Sequence, residues 1–334
     1  MTSTGRRQPS VGPSLVLVAI GLGLDALVSW TMAQQSYRWL PVQASTAAPY
    51  VDNLFALETG IGSFILVGCT AVIAWTLLFN RAPKYDLDDG DPIEGNIRLE
   101  IIWTVIPLVV VLAIAWHTIG VNHTLATLGG KQRLATAAPL GSASLPLATG
   151  SLPLATGSLP VATGSLPSTT DSTEIGPIQV IGRQWSWEFI YPNGVRSSEL
   201  HLPVDRPIYF RLISMDVLHG FYIPAFRLKQ DLIPGSVIDY RLTPSRQGRY
   251  RLRDSMFSGG YFATNQTDVV VESEADFAAW LAAAEQAPLR PSFNAANEIW
   301  QQRLAEGNRG WATVPPAPPP EVNVSLDPQN THEA

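Results

Sequence analysis

Glu100 is the carboxylate best placed for chemistry in this chain. It lies directly ahead of a long stretch that contains no Asp, Glu, Lys or Arg. A carboxylate at the mouth of an apolar span can gather protons from water and pass them on. The competing assignment is an acid in the first turn of a helix, favoured there by the helix dipole. A second carboxylate, Asp25, falls in the middle of another apolar run. Charge is expensive in such a place, so Asp25 is expected to face protein or to be neutral. Sulfur chemistry is limited, because the one cysteine, Cys69, sits inside an apolar run. It cannot form an internal disulfide and reads as a small packing residue. A centre bridged by two thiolates cannot be built from this chain alone. Arg249, Arg251 and Arg253 alternate along one strand and share a face. Three like charges on one face repel a basic partner; the alternative is a solvated edge.

The elements that position these residues divide into a membrane part and one soluble domain, which 334 residues can accommodate. Hydrophobic residues make up 46% and charged residues 15%, as suits a chain whose apolar residues gather in membrane spans. A net charge of −6, with no basic cluster, argues against a nucleic-acid partner. Residues 14–33, 60–79 and 101–119 are each apolar over a length that spans a hydrocarbon core of about 30 Å. The last two predict a transmembrane helical hairpin over residues 60–120. Residues 1–33 predict a hydrophobic segment that is either a retained helix, which its length favours, or a cleaved leader, since Thr31-Met32-Ala33 suits signal peptidase. Arg6, Arg7, Arg81, Lys84 and Arg98 fall on one side of these spans, against Arg38 alone on the other. The basic side is therefore cytoplasmic, and everything after about residue 120 lies in the periplasm or a lumen. The acidic run Asp86, Asp88, Asp89 and Asp91 counts little in that rule.

Residues 121–176 read as a linker. Within it, 144–171 repeat as SLPLATG, SLPLATG, SLPVATG, SLPSTTD, with proline and glycine in nearly every unit, which no helix tolerates. Residues 177–272 carry strand signals. Trp185, Trp187, Phe189 and Tyr191 share one parity, Asn193-Gly194 offers a tight turn, and Ile208, Phe210 and Leu212 alternate. Further strands are predicted over 237–242, 249–253 and 269–271, the pattern of a β-sandwich or barrel. In residues 273–334, Ser273 with Asp276 predicts a helix cap, a second helix is expected over 294–306, and the proline-rich tail from Val314 is expected to be disordered.

Three segments, taken in order, resemble subunit II of the haem-copper respiratory oxidases. They are P-I-E-G-N-I-R-L-E-I-I-W-T-V-I-P (92–107), G-R-Q-W-S-W-E-F-I-Y-P (182–192) and D-V-L-H-G-F-Y-I-P-A-F-R-L-K-Q-D-L-I-P-G (216–235). The resemblance covers about residues 51–272, and L-P-V-Q-A-S near the N-terminus is similar to cyanobacterial members. It implies a membrane helical hairpin (two core transmembrane helices plus an N-terminal hydrophobic helix) carrying an all-β cupredoxin-like domain docked onto subunit I. In copper-bearing members the last part of that domain reads C-x-E-x-C-x-x-x-H-x-x-M and holds two coppers. Here those positions are Asp254, Met256, Ser258, Phe262 and Asn265.

The resemblance carries further expectations, residue by residue. Glu100 matches a glutamate at the cytoplasmic mouth of a proton pathway into subunit I. His219 matches the first copper ligand; alone it is expected to pack or hydrogen-bond, although imidazole and thioether could hold one copper with Asp254 or Met256. Met256 also takes the place of a glutamate that serves a magnesium site. Trp185 matches a tryptophan through which relatives accept electrons, and without a metal behind it reads as aromatic packing. Asp231 reads as a contact to subunit I or as a turn residue. The function expected is subunit II of a quinol-type terminal oxidase of the kind found in cyanobacterial alternative respiratory oxidases. It would be non-catalytic and hold no cofactor. Haem and copper would reside in subunit I, with subunit III and a membrane quinol as further partners. The complex would lie in a plasma or thylakoid membrane with the soluble domain on the periplasmic or lumenal side. Two alternatives stand beside this: a copper-bearing cytochrome c oxidase subunit II, and a free-standing membrane-anchored cupredoxin-like protein.

Overall fold

A computed structural model describes residues 14–79, 95–128, 134–135, 174–307 and 313–326. The tandem repeat at 144–171 lies outside the described residues. The chain divides into two compact units, one built from the apolar helices and one that holds the strands.

The helical unit contains α1 (Leu15–Ser36), α2 (Ala48–Phe79) and α3 (Ile97–Leu128). All three are long and apolar enough to cross a membrane. At 1.5 Å per residue, the 22 residues of α1 reach about 33 Å, enough for a hydrocarbon core. Their large apolar side chains face outward, Leu15, Leu66 and Trp116 among them. Ser14 caps α1 by accepting the amide hydrogen of Leu17. The buried residues of α1 are polar: Asp25, Ser29 and Ser36. Asp25 accepts a hydrogen bond from Ser29 at 3.2 Å and faces α2, as its cost in an apolar run requires. A Cβ at Gly68 would lie 3.1 Å from its carboxylate, and one at Gly60 would lie 3.3 Å from Cβ of Ala33. Small residues thus let the two helices approach closely. α2 begins at Ala48, earlier than the apolar run from residue 60. Its added turns bury Asp52, and Asn53 accepts the Tyr37 hydroxyl at 2.8 Å.

The second unit contains β1 (Leu134–Ala135), β2 (Ile175–Arg183), β3 (Ser186–Ile190), β4 (Arg196–Ser197), β5 (Leu200–Pro203), β6 (Ile208–Ser214) and β7 (His219–Ile223). Then come β8 (Leu228–Leu232), β9 (Val237–Leu242), β10 (Gly248–Asp254), β11 (Gln266–Glu272), α4 (Glu274–Gln286), β12 (Arg290–Pro291), α5 (Ala295–Ala305) and β13 (Glu321–Val322). One sheet runs β1-β9-β6-β2-β3-β4 and the other β5-β11-β10-β7-β8. Their inner faces share one core. Val180, Phe189, Phe210 and Leu212 come from the first sheet; Leu200, Phe221, Leu252 and Val269 come from the second. This is a two-sheet sandwich, held by apolar burial between pleated faces. Alternation is cleanest in β6, where Ile208, Phe210 and Leu212 point inward. The Asn193-Gly194 turn forms as expected: Tyr191 donates to the Val195 carbonyl at 2.9 Å.

Two sequence expectations change here, and one buried ion cluster was not foreseen. Trp185 does not share the main core face with Trp187, Phe189 and Tyr191. It precedes β3 and packs in a separate cluster with Tyr261 and Ala296. The other face of β3 is not solvent, because Glu188 is fully buried between Arg183 and Arg196, each at 2.7 Å. The tail is not disordered over residues 313–326. Both helices ahead of it are capped, on the expected Ser273 and on Asn294, whose side chains accept from Asp276 and Asn297. The chain then returns as a strap. β13 pairs with β12, Val322 is fully buried, and Ala317 donates to the Gln184 carbonyl. Side-chain hydrogen bonds fix it, with Asn323 Oδ1 accepting from the Arg196 amide at 2.9 Å. Proline removes donors but leaves carbonyls, so a proline-rich strand can still pair through the residues between.

Candidate functional site: a carboxylate–imidazolium network

β7 and β10 lie side by side, with Asp254 opposite Phe221. This pairing brings His219, at the start of β7, against Asp254, at the end of β10. Nδ1 of His219 lies 2.7 Å from Oδ2 of Asp254, and Nε2 lies 2.7 Å from Oδ1 of Asp216. Asp254 gathers four more donors. Ser258 Oγ and Asn265 Nδ2 reach Oδ2 at 3.1 and 3.0 Å; the amides of Gly220 and Met256 reach Oδ1 at 2.8 and 3.1 Å. Asp216 in turn accepts the amides of Gln184 and Val217, both at 2.7 Å.

Burial alone would hold the His219 imidazole neutral. The hydrogen bonds and charges of Asp216 and Asp254 outweigh it and push the ring up to about 9. The two carboxyls are likewise pulled below their ordinary range. Burial raises both, but the His219 ring and the backbone amides prevail. With both carboxylates ionised and the ring protonated, the cluster is a buried charge network in which each formal charge meets an opposite one.

The five positions that hold copper ligands in copper-bearing members do not come together as a metal donor set. Asp254, Ser258 and Asn265 join the network around His219. Phe262 turns its ring edge to Phe257 at 5.2 Å and packs against the Trp185 cluster. Met256 contributes its backbone amide. A thiolate-bridged copper pair does not fit these residues: none of the five is a cysteine, and both ring nitrogens of His219 are spent on carboxylates. The same occupancy removes the basis for a single copper on His219 with Asp254 or Met256. No group of three or more candidate metal ligands occurs among the described residues.

Trp185 is bound to this network. Its indole N–H donates to Ser258 Oγ at 3.1 Å, and Tyr261 meets it edge-on at 5.1 Å. Arg303 of α5 donates to the Tyr261 hydroxyl at 2.9 Å, so the C-terminal helix braces the cluster over the indole. Asp231 lies in β8 opposite Gly220, which excludes the turn reading, and its Oδ1 is buried without a hydrogen-bond partner. The arginine face is not the repulsive patch expected. Arg249 lies 2.5 Å from Asp268 and 3.3 Å from Glu199, and Arg251 lies 3.0 Å from Asp268. Two of the three charges are thus paired by acids on β11 and just ahead of β5.

Glu100 stands in the first turn of α3. Asn96 accepts the amides of Arg98 and Leu99 at 3.1 and 3.4 Å, and so caps the helix. The Glu100 side chain folds back over Gly95, where a Cβ would lie 2.5 Å from Oε1. Asp216 is the functional residue that sequence reasoning missed. The signal was an Asp-x-x-His spacing at 216–219, which places a carboxylate within reach of the imidazole.

Comparison with known proteins gives the family. Residues 31–121 match the transmembrane domain of cytochrome c oxidase subunit II, and residues 194–273 match its periplasmic domain. "Cytochrome c oxidase subunit 2" of Synechocystis sp. is 33% identical over 82% of this chain and 84% of its own length. "Quinol oxidase subunit 2" of Bacillus spizizenii is 26% identical over 69% of this chain and 61% of its own length. The crystal structure of the periplasmic domain of subunit II of cytochrome oxidase from Bradyrhizobium japonicum is 25% identical with a TM-score of 0.32, over 33% of this chain and 92% of that one. The chain belongs to the cytochrome c oxidase subunit II family of haem-copper terminal oxidases. It is an integral membrane protein whose soluble domain is periplasmic.

Proposed function

We propose that the chain is subunit II of a quinol-type oxidase, with no copper centre of its own. The observation that carries this reading is the His219 network. Asp254, Ser258 and Asn265 stand at ligand positions of the copper-bearing members and are committed to one another and to His219. An electron carrier docking on this domain would find no metal to accept its electron. Electrons would then reach subunit I, which holds haem and copper, directly from a membrane quinol. The subunit would support assembly with subunits I and III. It would also supply Glu100 as the carboxylate that collects protons at the cytoplasmic mouth of a pathway into subunit I.

The cyanobacterial relatives named cytochrome c oxidase subunit 2 favour a second reading, in which the complex oxidises cytochrome c. Purified complex separates the two. The quinol reading expects oxygen consumption with a short-chain quinol, none with reduced cytochrome c, and no copper signal from this subunit. Oxidation of cytochrome c, or two coppers in this subunit, would sink it. Glu100→Gln in the same complex tests the proton role separately: turnover should fall, and unchanged turnover removes that assignment.

A further inference from the structure

Residues 43–47 belong to the strand-bearing unit, although they connect two helices of the other: α1 ends at Ser36 and α2 begins at Ala48. Ala44 is fully buried in the main core of the sandwich. Ser45 is 2% exposed and pairs in antiparallel register with Pro244, just past β9. Backbone bonds flank this pair. The Ser245 amide donates to the Ala44 carbonyl at 2.9 Å, and the Thr46 amide donates to the Thr243 carbonyl at 3.1 Å. Pro244 suits its place, because a facing pair between two such bonds asks no amide of it. Two further bonds reach the chain after β7: the Ala44 amide donates to the Ala225 carbonyl at 2.9 Å, and Ser45 Oγ donates to the Phe226 carbonyl at 2.8 Å.

A connection between two membrane helices has only to turn the chain in water, so the insertion needs another reason. Its form is that of an extended peptide bound by a folded domain. Main-chain bonds supply the hold, and a small side chain in a fitted pocket supplies the register. Withdrawing the segment would leave a hole at Ala44. It would also strand the carbonyls of Ala225, Phe226 and Thr243 and the amide of Ser245. The second covalent route between helices and strands runs through residues 121–176, whose sequence is that of a repeat-bearing linker. A linker of that composition limits distance and does not fix position.

We infer that residues 43–47 are a built-in peptide ligand that anchors the soluble domain to the start of α2, and that the repeat-bearing linker is a leash only. The slot that receives them is made by Ala225, Phe226 and residues 243–245, and its occupant is this chain's own segment. The anchor is independent of the electron donor and of the proton role of Glu100, and its test reads neither.

The test uses the full chain, purified without its partner subunits, with an affinity tag ahead of residue 1 and a protease-recognition sequence in place of residues 151–157. After cleavage the soluble domain should stay on the tagged helical part through repeated washing. Thr46→Pro removes one amide donor at an exposed side chain and should speed release about tenfold, with the thermal midpoint of the domain unchanged. Ala44→Asp puts a charge into the core and should release the domain outright. Ser45→Cys with Pro244→Cys, in a Cys69→Ser background, should form a disulfide across the facing pair and hold the cut domain until reductant is added. A wild-type domain that washes off as fast as Thr46→Pro, or a cysteine pair that does not cross-link, would overturn the inference.

Discussion

The His219 ring is held between two carboxylates, and the more deeply buried of them, Asp254, meets Nδ1 at 2.7 Å with both side chains buried. The pair cross-links the start of β7 to the end of β10. Its stability contribution depends on the ring being charged. The ring titrates near 9 in the fold, above its ordinary value of 6.5. A raised folded value means that the contribution is complete below the unfolded value and is lost as pH climbs through the folded one. Thermal unfolding of the full chain in detergent should therefore hold steady near pH 6 and fall between about pH 6.5 and 9. The loss is on the order of 3 kcal/mol. His219→Asn should flatten this slope; a slope that persists in the variant assigns it elsewhere.

The Asp254 carboxylate collects five donors, so its removal reaches well beyond one contact. Asp254→Ala leaves the buried ring one partner short and strands several donors. The expected cost is about 3–5 kcal/mol, as for other broken buried ion pairs. Ser258→Ala removes one hydroxyl and should cost about 1 kcal/mol. Urea unfolding of the two variants side by side checks the ranking, and equal costs would contradict the central place given to Asp254.

Gly95 gives the Glu100 carboxylate its resting place, because a Cβ there would lie 2.5 Å from Oε1. The atom met is the end of a flexible side chain, so Gly95→Ala should displace the carboxylate without unfolding the helix. If Glu100 is the proton inlet, oxygen uptake in Gly95→Ala should drop roughly tenfold, since small misplacements of reacting groups carry large penalties. Thermal stability should stay put. Full activity in Gly95→Ala alongside an impaired Glu100→Gln would mean that the position of this carboxylate is not critical.

Stopping the chain after residue 312 should weaken the soluble domain, because the strap buries Val322 and Leu326 and bonds to Gln184, Arg196 and Ser198. Each buried side chain is worth about 1.5–3 kcal/mol. A loss near 3 kcal/mol in denaturant unfolding is expected, together with a red shift of tryptophan emission as Trp185 loses cover. An unchanged midpoint would show the strap to be a passenger.

Local chemistry that repeats or alternates was legible in the sequence. The apolar helices, the alternation at Ile208, Phe210 and Leu212, the Asn193-Gly194 turn and the Ser273 cap all announce themselves within a few residues. The replaced ligands at 254–265 could likewise be named position by position. What those residues do instead was not legible. Their partners come from elsewhere: Asp216 from the loop before β7, and Gln184 from the turn before β3. The same holds for the arginines of β10. Read as a strand face they repel; paired with Asp268 on β11 and Glu199 before β5, two of them do not. Trp185 misled for a related reason, since parity holds only while the strand continues, and β3 starts one residue later.

The strap has a consequence for the order in which the domain is made. Its last described residues complete the outer edge of the first sheet: Val324 bridges Ser197 of β4, and Leu326 donates to Ser198, 128 positions earlier. β4 therefore emerges with a bare edge and keeps it until residues 324–326 have been exported. During that interval the exposed strand is open to pairing with another chain. The strap is the clasp that ends this exposure, so the domain cannot close before residues 322–326 have followed the strands.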